Sequence, residues 1–154
     1  MSASSTLADV LDREADLYED LLGLLHEEEV ALIAGNTRSV GECLARTETV
    51  VLQLRLLENS RETLVSKLTG RRDTRLGELP GTATDSLGRA RTRLVTTLPL
   101  VDVMNRRVTA LLQRALRLFD TTLDLIREAA GLDHQYTAGG ALTRGTRPVI
   151  DGRA

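Results

Sequence analysis

Between Ala83 and Gly131, apolar or small residues recur at Leu87, Ala90, Leu94, Leu98, Val101, Met104, Val108, Leu111, Ala115, Leu118, Thr122, Leu125 and Ala129. The steps alternate between three and four residues, the spacing of one stripe along an α-helix. A single helix over this stretch would run roughly 70 Å at about 1.5 Å per residue. A lone helix with one apolar face is not stable in water, so the stripe predicts helices laid against it. Upstream, Leu11, Tyr18, Leu25 and Leu32 fall seven apart, with Val10, Leu17, Leu24 and Ala31 alongside and Leu21 and Leu22 between them. Ser4, Ser5 and Thr6 are candidate N-caps of this first helix, and Asp9, Asp12 and Glu14 suit the positive end of its dipole.

Ala34-Gly35-Asn36 ends the first run. Gly35 fits the left-handed position after a helix, and Asn36 can cap the next one. So short a connection makes the first two helices antiparallel neighbours. The second helix is predicted over residues 37–69, with Val40, Cys43, Thr47, Val50, Leu54, Leu57, Arg61, Leu64 and Leu68 on its seam. Ser39 to Glu42 reads as a capping box and offers a later start. Arg61 is the one charge on that seam, and its guanidinium is expected to reach a carboxylate at the bundle edge. Residues 70–80 read as a linker touching the bundle through Leu76 and Leu79, with Thr84 or Asp85 capping the third helix. Pro99, lacking a backbone donor, predicts a kink near Thr96 or a split into two helices. From Leu132 the period is lost among Gly139, Gly140, Gly145, Pro148 and Gly152. The expected organisation is an all-α, antiparallel bundle of three long helices over residues 1–131. A flexible tail over 132–154 carries Tyr136, Leu142, Val149 and Ile150.

Composition sharpens this reading. The chain of 154 residues is 42% hydrophobic but only 2% aromatic, so its core must be built from Leu, Val and Ala, which suits helix seams. Net charge is −2, yet residues 1–34 hold nine acids against Arg13 alone, so an acidic first helix is expected against more basic neighbours. The single Cys43 gives no internal disulfide. The first residues lack the basic start and apolar run of a signal peptide, and no apolar run approaches the roughly 20 residues of a membrane span. A cytoplasmic protein is the simplest expectation.

Catalytic and metal chemistry find little support. The residues three before His26 and His134 are Gly23 and Gly131, not the glutamates of a carboxylate-bridged di-metal bundle. His26-Glu27-Glu28-Glu29 holds potential ligands, but successive helical residues point about 100° apart. Cys43 sits on an apolar seam and reads as a small buried hydrophobe. Gly139-Gly140 lacks the Lys-Ser or Lys-Thr of a phosphate loop. The arginines are scattered and diluted by acids, with no aromatics to stack bases, so nucleic acid is not indicated. No enzyme activity, cofactor or metal is expected.

A hairpin turning at Ala34-Gly35-Asn36 is followed by Leu57-Glu58-Asn59-Ser60-Arg61-Glu62-Thr63-Leu64-Val65, and then by Val103-Met104-Asn105-Arg106 and Leu111-Leu112-Gln113-Arg114-Ala115-Leu116. With Tyr136 and Gly139-Gly140 in the tail, this plan resembles the FlgN-type flagellar export chaperones from Leu7 to about Gly140. Val108 stands where that family often has a second asparagine. The resemblance implies a cytoplasmic chaperone of the flagellar type III secretion system. Such a protein would hold hook–filament junction proteins unpolymerised and deliver them to the export gate, with Tyr136 at the position of the family's gate-contacting tyrosine. A second reading of Tyr136 folds it back onto the end of the third helix. The client's terminal amphipathic helices are expected to bind helix-in-groove against Val101, Met104, Asn105, Val108, Leu111, Leu112 and Ala115, where Leu111-Leu112 and Leu118-Phe119 widen the stripe. The rival reading is a structural coiled-coil scaffold or homodimer.

Overall fold

The computed structural model describes residues 3–71, 74–75, 78 and 85–131, with side chains from Thr6 onward. Three helices account for nearly all of them: α1 (Ala3–Ile33), α2 (Thr37–Thr69) and α3 (Ser86–Ala129), with no strand among the described residues. The chain divides into two compact units, Met1–Leu112 and Gln113–Ala154, the division falling inside α3. Leu76, Leu79, Thr84 and the tail from Leu132, Tyr136 included, lie outside the described residues.

The α1–α2 turn follows from its three residues. Gly35 adopts φ +67°, and the N–H groups of Gly35 and Asn36 donate to the carbonyls of Leu32 and Ala31, closing the end of α1. The Asn36 side chain then accepts from the Ser39 N–H at 3.1 Å, so α2 starts at Thr37 and not at the later Ser39. α1 begins at Ala3, which puts Ser4, Ser5 and Thr6 inside its first turn instead of before it. Gly70, at φ +70°, ends α2 and donates to the Ser66 carbonyl. Asp85 caps α3, its carboxylate accepting from the Gly88 N–H at 2.6 Å.

α3 runs unbroken through Pro99 for 44 residues, so the alternative of two separate helices does not occur. Proline cannot donate to the carbonyl four residues back, here that of Val95. Val95 is 56% exposed, on a side where water can take up the orphaned acceptor.

The core of the first unit consists of two clusters. One joins Leu7, Ala8, Leu11 and Ala15 of α1 to Val65 of α2 and to Leu87, Ala90 and Leu94 of α3. The other joins Leu21 and Leu25 to Leu54, Val101 and Val108. Tyr18 packs against both, making one continuous interior. Each buried leucine stabilises the fold by about 1.5–3 kcal/mol relative to exposure. Ala15 and Ala90 are wholly covered, and small side chains at the contact let helix axes come closer. Arg93 reaches Asp12, Asp16 and Glu19, while Arg107, two heptads on, reaches Glu29. Both partners advance together, so α3 runs parallel to α1, and α2 antiparallel to it.

Candidate interaction surfaces

Six acids of α1 (Asp12, Glu14, Asp16, Glu19, Glu27 and Glu29) find counterions on α2 or α3. Arg93 gathers three carboxylates at 2.7–3.2 Å, and the hydrogen bond to Asp16 is the main cause of a pKa raised above the ordinary arginine value. Arg61 bonds the almost fully buried Glu14 at 3.0 Å and lies 3.4 Å from Glu58, meeting the expectation for the one charge on the α2 seam. Burial still holds the Glu14 carboxyl above its usual range, with Arg61 opposing that shift. Burial, followed by the nearby Glu14, also raises the Tyr18 phenol.

The three consecutive glutamates fan out, as about 100° per residue requires. Glu27 pairs with Arg46 of α2 at 2.8 Å, and Glu29 pairs with Arg107 of α3. That second contact is not a well-directed hydrogen bond, for Glu29 Oε1 otherwise lacks a donor. Between them Glu28 is 2% exposed, and no hydrogen bond or ion pair reaches it among the described residues. Desolvation raises its carboxyl pKa.

His26 is exposed and lies 3.6 Å from Glu29. No group of three metal-ligating side chains comes together among the described residues. Cys43 is buried, and burial, followed by the charge of Glu27, pushes its thiol pKa up, away from nucleophilic reactivity. No described helix is long and apolar enough to cross a membrane.

The seven residues expected to bind a client do not form one open groove. Val101 and Val108 are taken up by the bundle's own core, and Met104 packs half-buried against them. Leu111 and Leu112 are half-buried, Asn105 is exposed, and Ala115 is exposed in the second unit. Met104 also lines an open groove of about 640 Å³ between α1 and α3, with Leu22, Leu100 and Val103. Another exposed apolar stretch lies further along the chain. Within the second unit Leu116, Leu118, Phe119, Leu125 and Ile126 are 56–63% exposed. Phe119 is the chain's only phenylalanine. The signal for this surface was the unbroken three-four spacing past Leu112, which continues after α1 and α2 have used 31 and 33 residues against the 44 of α3.

Residues 1–144 match the family model described as FlgN protein. No curated protein and no solved structure matches the chain.

Proposed function

Because the chain belongs to the FlgN family of flagellar export chaperones, we propose that it acts in the cytoplasm on hook–filament junction proteins, keeping them unpolymerised and delivering them to the type III export gate. The observation that carries this reading is the uncovered apolar side of α3 in the second unit, with Phe119 at its middle. A contiguous apolar surface of this kind on a helix marks a site for another helix. An aromatic at its centre is the residue type that dominates interface energies. The proposed client face therefore lies in the second unit, which holds Ala115 of the expected set, while Val101 and Val108 belong to the core. Tyr136 is assigned to the gate, as an aromatic anchor beyond the end of α3.

The test is light scattering after gel filtration of the chain, alone and mixed with a hook–filament junction protein from the same source. A stoichiometric complex with the wild-type chain, lost in Phe119→Asp at unchanged helicity, supports the reading. A tight homodimer indifferent to the junction protein overturns it in favour of a scaffold. For the tail, Tyr136→Ala should spare client binding and weaken binding to the cytoplasmic domain of the export gate. Unchanged gate affinity removes that role from Tyr136.

A further inference from the structure

From Leu87 to Val108 the buried apolar residues of α3 share two core clusters with residues of both α1 and α2. The same face continues in sequence: Phe119 and Ile126 follow Leu112 at steps of seven, and Leu118 and Leu125 follow Met104 and Leu111 at steps of seven. At about 100° per residue, the stripe from Leu125 through Ile126, Phe119 and Leu123 to Leu116 takes up about half the helix circumference. One helix packed on another covers a seam about two heptad positions wide, so a single helix leaves one edge of this stripe in water.

Charge repeats along the same register. Arg93, Arg107 and Arg114 share one heptad position. The first two are met by carboxylates of α1. Arg114 is exposed and has no partner among the described residues.

We propose that Arg114–Ala129 takes two amphipathic helices from one partner molecule, and that the helix on the Leu118–Leu125 edge presents a carboxylate to Arg114. In sequence the stripe repeats the register with which α3 meets α1 and α2 in the first unit, Arg114 standing where Arg93 and Arg107 meet carboxylates, and the partner supplies in the second unit what α1 and α2 supply in the first, down to the acidic flank. A second copy of the chain fits less well, because its own α3 offers one helix and leaves the other edge bare. This inference rests on the chaperone reading and specifies what a client must bring: two helices, one of them acidic at its border.

The experiment is calorimetric titration of the full chain with an intact hook–filament junction protein, and with two synthetic peptides covering its N-terminal and C-terminal amphipathic segments. The intact protein should bind one to one, each peptide alone at least about tenfold more weakly, and each peptide should tighten the binding of the other. Leu118→Asp combined with Leu125→Asp should block one peptide and Leu116→Asp the other, with circular dichroism confirming unchanged helicity. Arg114→Glu should weaken only the peptide lost with the Leu118–Leu125 edge, and replacing that peptide's facing carboxylate by lysine should restore it. A single peptide that binds one to one with the full affinity of the intact protein, and is lost equally with either edge, overturns the two-helix proposal and leaves the chaperone reading standing. A chain that self-associates through Phe119 and excludes both peptides places a second copy on the stripe, which overturns the proposal too. Failure of the intact junction protein to bind at all overturns the chaperone reading itself, and this proposal with it.

Discussion

Glu28 is a carboxylate buried without a cation, flanked by two glutamates that each have one. Its pKa is raised by desolvation, so the native state holds the proton more tightly than the unfolded chain does. Stability from this residue is therefore highest at acid pH, and it falls as pH rises past the ordinary carboxylate value and through the raised one. Glu28→Gln keeps the shape and removes the charge. It should stabilise the bundle at neutral pH by on the order of 1 kcal/mol, or about 3 °C in Tm. Urea midpoints between pH 4 and pH 8 should show a shallower decline, with the slope from Glu14 remaining because its pKa is raised in the same direction. An unchanged profile would mean that Glu28 is solvated or paired in solution. Arg61 presents the opposite case. Arg61→Met leaves Glu14 buried with no counterion and should destabilise by about 3 kcal/mol, whereas the double variant with Glu14→Gln should recover most of the loss.

Among the elements, the α1–α2 turn is the most tightly specified. Asn36 closes one helix with its backbone and opens the next with its side chain. Asn36→Ala should cost about 1 kcal/mol in chemical denaturation. Gly35→Ala should cost at least about 1 kcal/mol, because its positive φ is strained for any other small residue. In α3, Pro99→Ala restores a backbone donor at an exposed position and should stabilise by about 1–3 kcal/mol. A destabilised Pro99→Ala would show that the bundle depends on a bend there. This turn was legible in the sequence because one glycine and one asparagine satisfy local geometry with no help from distant residues. The helical seams were legible for the same local reason, down to the last residue of α2 at Thr69. Two features were not. The start of α1 at Ala3 passes through three good capping residues, where propensity alone could not choose among neighbouring starts. The fate of the α3 stripe was hidden as well. Periodicity reports that a face is apolar and says nothing of what lies on it, so Val101 and Val108 look the same in sequence as Phe119 and Ile126.

For the molecule as a whole, that difference separates the part that holds the core from the part proposed to bind. Every buried hydrophobic side chain among the described residues lies between Leu7 and Val108, inside the first compact unit. Leu116, Leu118, Phe119, Leu125 and Ile126 of the second unit are exposed, and nothing in Arg114–Ala129 contributes a residue to either core cluster. A chain ended after Leu112 should therefore keep a cooperative thermal transition within a few degrees of the full chain, since both described core clusters stay whole and a change of 1 kcal/mol moves Tm by only about 2–8 °C in domains of this size range. The same truncation should abolish capture of a hook–filament junction protein. Differential scanning calorimetry and gel filtration on the two forms decide the matter together. A truncated chain that melts far below the full one would mean that the α3 stripe supports the bundle and is not held free for a partner. A truncated chain that still captures the junction protein would move the client onto the groove of Leu22, Leu100, Val103 and Met104 between α1 and α3. Stability kept and capture lost is the expected pair, because a surface left uncovered in the free chain can be removed with little loss to the fold and entire loss to the complex.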